Sequence, residues 1–486
     1  MRTFIHLPLV AALLLAGCAV GPDFKAPVPE APADFSAWHG GSPTLVDPQQ
    51  RRGPYVVGWA LFADPVLDDL QARALAANPD LQTATLRFAQ SRAQRSATEA
   101  ASSPQVNATA GVTRQRLSET GTGTRLLDAL NPPNQAELIE VLSDPYNLYQ
   151  AGFDAAWELD LWGRVRRAVE AADANVAASQ ALLAQVQLSV QAELARRYFE
   201  LRTAQRELRI VRADIAAAEE TLALVKARAD GGLTTDLDTA RQGAQTAELR
   251  AKLPQLLAQE ALAINQITLL VGERPGALQA QLAPRDEAVA SVLPDLSPGL
   301  PSEVALRRPD IRRAEAQLHA ATAGIGVAVA DLYPRITIGA RFGFESVASG
   351  SFGDWGARQW SIGPSLQLPV FDGGLRRSTV TLRELQQQEA AVAYQQTVLK
   401  AWHEIDDALS AYAADRQRHV QLAERERLSR DAWELARVRY DNGLTDFLVQ
   451  LDAQRTLLAA QRERVQSAGR LALDLVTLTK ALGGPG

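Results

Sequence analysis

Two hydrophobic periods alternate along the chain, and each predicts a different element. Residues 164–230 and 375–442 hold neither Gly nor Pro. In the first of these, Leu183, Val186, Val190, Leu194, Tyr198, Leu201, Leu208, Val211, Ile215, Leu222 and Val225 step by threes and fours. That spacing averages about 3.5 residues, the period of a left-handed coiled coil. Each stretch predicts a helix about 100 Å long. Each meets a Gly at its end, Gly231-Gly232 and Asn442-Gly443, where a left-handed C-cap belongs. A second helix then returns, with Thr235 or Asp446 placed to cap it. Pro254 is predicted to kink the first returning helix.

Elsewhere the period is two. Ile336, Ile338, Ala340, Phe342 and Phe344 alternate with Arg335, Thr337, Gly339, Arg341 and Gly343. The same alternation runs through about 104–114, 149–161 and 360–371. Runs of about ten residues with aromatics toward their ends suit membrane-spanning strands, although a half-buried soluble sheet reads the same way.

The plan is written twice. Asn78-Pro79-Asp80-Leu81 matches Arg308-Pro309-Asp310-Ile311 at an offset of 230, and Pro104 matches Pro334. Past the middle of each half the offset is 211, pairing Gly163 with Gly374, Gly232-Leu233-Thr234 with Gly443-Leu444-Thr445, and Gly272 with Gly483. The 19-residue change places an insertion in the first half, between Pro104 and Gly152. The predicted organisation is a signal peptide over 1–17, an N-terminal tether over 18–65, repeat 1 over 66–272, a Pro-rich linker over 273–301 and repeat 2 over 302–483. Repeat 1 holds strands near 104–114 and 149–161 and long helices 164–230 and 234–271. Repeat 2 holds strands near 334–344 and 360–371 and long helices 375–442 and 445–482. The fold class is mainly α with a β-barrel part. Four strands cannot close a barrel, so strands in a membrane require several chains to share one.

Composition narrows the function. The chain has 486 residues, 47% hydrophobic and 22% charged, with a formal net charge of −6. A footprint for nucleic acid is absent. No apolar run approaches the 20 residues of a transmembrane helix. At the N-terminus, Arg2, an apolar stretch from Phe4 to Ala16 and Leu15-Ala16-Gly17-Cys18 form a secretory signal whose end resembles a bacterial lipobox. Cys18, the only cysteine, stands where the lipobox needs it and is the predicted lipid attachment site; the resemblance to bacterial lipoproteins, with Ala19 rather than Asp after the Cys, implies outer-membrane sorting.

Val20-Gly21-Pro22-Asp23-Phe24, Glu158-Leu159-Asp160-Leu161-Trp162-Gly163-Arg164, Arg308-Pro309-Asp310-Ile311, Leu368-Pro369-Val370-Phe371-Asp372-Gly373-Gly374 and Leu451-Asp452-Ala453-Gln454-Arg455 carry a specific resemblance. Together with the repeat they resemble the TolC-like outer membrane factors, most nearly the NodT-type lipoproteins that serve resistance-nodulation-division pumps. The resemblance covers essentially the whole mature chain. It implies a homotrimer with a shared 12-stranded barrel above an α-helical periplasmic tunnel. The implied function is a passive outer-membrane exit duct for small molecules, anchored in outer-membrane lipid and partnered by a periplasmic adaptor and an inner-membrane efflux pump. A type I protein secretion duct, or a lipid-anchored coiled-coil scaffold without a pore, is the alternative.

By the same resemblance, Tyr440, Leu448, Asp452 and Arg455 form a periplasmic gate. The hairpin tips Gly231, Gly232 and Thr234, and Asn442, Gly443 and Thr445, are candidates for adaptor docking. Repeat 1 places Arg241 and Ala244 where repeat 2 has Asp452 and Arg455, so only the second hairpin can build this gate. Enzyme chemistry is not expected. His403 with Asp406 and Asp407 could share a helical face, yet a polar coiled-coil stripe explains them, and no fourth metal ligand accompanies them. Gly324-Ile325-Gly326 lacks the context of a phosphate loop and reads as a site of close helix packing. No cofactor is implied beyond the lipid on Cys18.

Overall fold

The computed structural model describes residues 19–28, 30, 31, 39–45, 58–285, 304 and 307–484. The signal segment and Cys18 lie outside the described residues. Helices α1 (Pro65–Ala77) and α2 (Pro79–Glu99) lead into strand β1 (Gln105–Gln115). Short helices α3 (Arg125–Leu130) and α4 (Gln135–Ser143) connect it to β2 (Tyr146–Leu159), followed by α5 (Arg164–Asp230) and α6 (Asp236–Leu270). The second half repeats this with α7 (Pro309–Ala330), β3 (Arg335–Ser346), β4 (Arg358–Gln367), α8 (Leu375–Asp441) and α9 (Phe447–Ala481). Residues 116–145 join β1 to β2 and 347–357 join β3 to β4, a difference of the 19 residues that the repeat offsets require.

The chain forms two compact units. One comprises the chain up to Lys25, Ser91–Val176 and Gln317–Ala390; the other comprises Ala26–Gln90, Ala177–Ala316 and Ala391–Gly486.

In the first unit the four strands make one antiparallel sheet in the order β1-β2-β3-β4. Its register sets residues of one kind side by side. Ala108, Phe153, Phe342 and Trp360 stand in one row across all four strands, and Val106, Ala155, Ala340 and Ile362 in another. The opposite face carries Asn107, Asp154, Arg341 and Ser361, then Gly111, Gln150 and Glu345. A Cβ on Gly152 would come 2.6 Å from the Phe342 carbonyl oxygen, and one on Gly343 would come 2.7 Å from that of Ala151. Glycine on this polar face thus lets β2 and β3 approach closely. The fourth strand is shorter than its alternation suggests. It stops at Gln367, which pairs with Arg335, the first residue of β3, so Leu368–Phe371 have no β3 residue opposite them and fall outside it.

The second unit is a helical core. Leu194, Tyr198 and Leu201 of α5, Ile267 of α6, Ile405 and Tyr412 of α8, and Leu471 and Leu475 of α9 pack in one cluster with Leu67 and Leu70 of α1. Two parts of the chain expected to be mere connectors belong to this core. Trp59 and Phe62, in the predicted tether, are buried in it, as are Leu278 and Leu282 from the predicted linker. Asp64 then caps α1 by accepting from the Val66 and Leu67 N–H groups, and it also accepts the Tyr198 hydroxyl.

Helix ends repeat across the halves. Gly232 (φ 73°) donates to the Ala229 carbonyl while Leu233 donates to that of Arg228; Gly443 (φ 70°) and Leu444 do the same to Tyr440 and Arg439. Both are Schellman closures. The predicted side-chain caps of the returning helices are not formed: neither Thr235 nor Asp446 bonds a helix N–H. Thr234 and Thr235 instead donate to the Asp238 carboxylate, whose place Val449 takes in the second hairpin.

Candidate functional site

Three places combine unusual chemistry with a defined position: the two faces of the sheet, the strap near the N-terminus, and the hairpin tips.

The apolar face of the sheet is bare. Phe153 is 58% exposed, Trp360 69% and Ile362 70%, and both outer strands, β1 and β4, have unpaired edges among the described residues. On the other face, Asn107 donates to Asp154 at 3.1 Å, and Glu345 accepts from Gln150 at 2.6 Å and Gln359 at 3.3 Å. Exposed aromatics opposite a hydrogen-bonded polar surface suit a strand set with lipid outside and water inside. No helix of the described residues is long and apolar enough to cross a membrane.

The strap is held by backbone. Val20 donates to the Trp162 carbonyl, and Arg167 reaches the Val20 carbonyl and pairs with Asp23 at 2.6 Å. A Cβ on Gly326 would sit 2.7 Å from Arg167 Cγ, and one on Gly21 would sit 2.5 Å from Gly326 Cα. Phe24 stacks on His319 at 4.2 Å, and His319 contacts Glu170 at 2.9 Å. Gly326 therefore serves close packing, against Arg167 of α5 and Gly21 of the strap, whereas a Cβ on Gly324 would meet nothing within 4 Å. In the second unit, His39 contacts Asp406 at 2.6 Å and Gly40 donates to the same carboxylate at 3.1 Å. Asp406, weighed above as a metal ligand, is thus engaged, and the described residues contain no cluster able to hold a metal ion.

At the second hairpin tip, Tyr440 packs against Phe447 at 5.6 Å, and the Arg228 guanidinium lies 5.0 Å over its ring. Phe447 and Leu451 are buried with Val225 of α5. Leu448, Asp452 and Arg455 lie on one face of α9 at spacings of four and three, and all three are exposed. No ion pair joins Asp452 to Arg455 among the described residues; Arg455 donates instead to Gln245 of α6 at 2.6 Å. Arg241, the counterpart of Asp452, stands 3.8 Å from Asp238. Sequence reasoning missed Phe447, Arg228 and Gln245. The first was legible in the seven-residue step from Tyr440 across the turn, whereas the other two come from the other hairpin and leave no local signal.

These features agree with what the chain resembles. The family model of outer membrane efflux proteins matches residues 70–273 and 300–484. The chain belongs to that family. It is 32% identical to the outer membrane protein OprJ of Pseudomonas aeruginosa, over 98% of this chain and 95% of that one. It is 33% identical to the pyoverdine export outer membrane protein OpmQ of the same organism, over 99% and 96%. The solved outer-membrane channel OprN shares 34% identity with a TM-score of 0.84, covering 96% of this chain and 99% of that one.

As an outer membrane efflux protein, the chain is the outer-membrane channel component of a tripartite efflux system. Its fold class is that of trimeric channels, in which three four-stranded sheets complete a barrel and the helical hairpins reach into the periplasm. The apolar face is then the lipid face and the polar face the lumen. Every strand end joined to a long helix is periplasmic, so the β1–β2 and β3–β4 connections are extracellular.

Proposed function

We propose that the trimer is a passive exit duct for small molecules, fed by an inner-membrane pump through a periplasmic adaptor that docks on the hairpin tips. One observation carries the reading: a sheet whose two edges are unpaired among the described residues, bare apolar on one face and hydrogen-bonded polar on the other, continues into helices of 67 residues. Such a sheet is stable in lipid only when closed by copies of itself. Transport along such a wall needs no catalysis and no cofactor. The tips present exposed Leu233 and Leu237 in one hairpin and Leu444 and Leu448 in the other, at equivalent places, for an apolar contact beside Gly231, Gly232, Thr234, Asn442, Gly443 and Thr445. Tyr440, Leu448, Asp452 and Arg455 form the periplasmic constriction. Cys18 carries the lipid anchor, delivered to the barrel rim by the strap that starts one residue later.

Reconstituting the purified trimer in planar bilayers tests the duct. Discrete conductance steps are expected; a trimer that never conducts, even after hairpin-tip substitutions, leaves only a scaffold. Cys18→Ser is expected to abolish fatty-acid labelling while leaving part of the function, since the barrel itself holds the trimer in lipid.

A further inference from the structure

The lipid face of the sheet holds two charged side chains among its described residues, Arg114 on β1 and Arg358 on β4. Both lie at the extracellular end, both are exposed, and neither takes part in an ion pair among the described residues. The luminal face, in contrast, mixes signs: Asp154, Glu158 and Glu345 with Arg335 and Arg341. Carboxylates are thus accepted in this sheet but kept off its lipid face. Near the water interface, a charge of either sign on a lipid-facing strand costs little, on the order of 0–1 kcal/mol. Tolerance of charge there does not explain why both are arginine.

Arg358 is also held in place. Its guanidinium lies 4.3 Å over the Trp355 ring, and Nη1 donates to the Trp355 carbonyl oxygen. Trp355 is itself 70% exposed. Arg114 has only a 3.5 Å contact to Asn147. A guanidinium pinned over an indole with no carboxylate partner is ready for a planar, bidentate acceptor such as phosphate. Closing the barrel sets β4 of one chain beside β1 of the next. The outer ends of these two strands, with Arg358 and Arg114, then fall on the same seam.

We propose that the extracellular end of each seam between chains binds a phosphorylated glycolipid of the outer leaflet, with Arg358 on its Trp355 platform and Arg114 of the next chain gripping the phosphate. Trp360 and Val112, below them on the same face, with Phe344 beside Arg358, take the acyl chains. The site rests on the shared-barrel reading and gives each trimer three equivalent positions. Because each position is built from two chains, bound lipid also favours the assembled trimer.

The test uses the full-length trimer in detergent with diphosphorylated lipid A, its dephosphorylated form and inorganic phosphate as probes, read by native mass spectrometry and by the thermal midpoint of the trimer. Wild type is expected to retain lipid A and gain stability from it. Arg114→Gln with Arg358→Gln should weaken retention at least about tenfold, near 1.4 kcal/mol. Arg341→Gln, on the luminal face, should change nothing. Should the double variant fail to assemble, each single variant is expected to lose several-fold. Equal retention of the dephosphorylated lipid would reduce the site to an acyl groove and overturn the proposal. So would full retention by the arginine variants, an equal loss in Arg341→Gln, or displacement by millimolar free phosphate. Failure of the wild type to run as a trimer by size exclusion would instead count against the shared barrel itself.

Discussion

Arg308 and Asn78 stand at matching positions of the two repeats, each just before a proline that opens a helix. Asn78 Nδ2 donates to the Leu270 carbonyl at the end of α6, while its Oδ1 accepts from Asp80 and Leu81 at the start of α2. Arg308 donates to the Ala481 carbonyl at the equivalent end of α9 and pairs with Asp310 and Glu404 at 2.6 Å. Different side chains thus perform one task, tying a helix start to the end of the returning helix. Arg308 is buried, so Arg308→Ala strands the Asp310 carboxylate and a buried carbonyl, and it should cost about 2–3 kcal/mol once the partial exposure of Glu404 is discounted. Asn78→Ala should cost about 1 kcal/mol as a lost cap. Denaturant midpoints of the trimer rank the two, and the reverse order would contradict this account. Two buried carboxyls also predict a pH dependence. Burial, with the Asp415 carboxylate next, pushes Asp474 up to about 7; burial raises Asp214 to about 6 against the pull of Arg462 and Lys252. Between about pH 4 and 7 the folded protein therefore binds protons that the unfolded chain releases, so stability falls as pH rises through that window. The trimer should melt lower at pH 8 than at pH 5, and Asp474→Asn should flatten the difference. An unchanged slope in that variant would place the titration elsewhere.

At the scale of elements, the period of two assigns each strand residue to a face, and the register sets those faces side by side. Phe342→Arg or Ile362→Arg at mid-strand on the lipid face should impair assembly, at a cost of about 2–4 kcal/mol near the midplane. Thr337→Arg or Gln367→Arg on the luminal face should assemble and alter conductance. Trimer yield measured in all four variants decides this, and equal tolerance on the two faces would remove the membrane reading of the sheet. Long helices and their glycine ends were legible because both follow from local rules: uninterrupted helix formers, then a residue free to take positive φ. The strap was not, since Val20–Phe24 have no periodicity. Their position depends on Gly326, Arg167 and His319, residues between about 140 and 300 positions away. Thr235 is no cap either: its hydroxyl donates to the Asp238 carboxylate and accepts from no helix N–H. The end of β4 differs because alternation continues through Leu368 and Val370 while the partner strand β3 begins only at Arg335, opposite Gln367.

In the whole trimer, the three-fold axis turns single side chains into rings, and the second hairpin tip is where that matters most. Leu448, Asp452 and Arg455 share one exposed face of α9, and within a chain Asp452 finds no cation partner among the described residues. Its partner must then come from a neighbouring chain or from water. Arg455 is held by Gln245 of α6, so the charge on α9 is positioned by the other hairpin. The packing of Tyr440 on Phe447 fixes the turn between α8 and α9. In the proposed gate, three carboxylates and three guanidiniums around the axis favour the closed register. Losing one kind leaves like charges facing each other and biases the equilibrium toward opening. Asp452→Ala or Arg455→Ala should each raise the single-channel conductance of the purified trimer and sensitise cells to large antibiotics. The double variant should add little to either, since both act on one bistable closure. Gln245→Ala should open the channel more weakly, because it frees Arg455 without removing its charge. Raised salt should open the wild type modestly, as screening weakens exposed pairs. Unchanged conductance in both single variants, with trimers intact, would move the constriction to Tyr440 and the Gly231–Asp236 turn of the first hairpin.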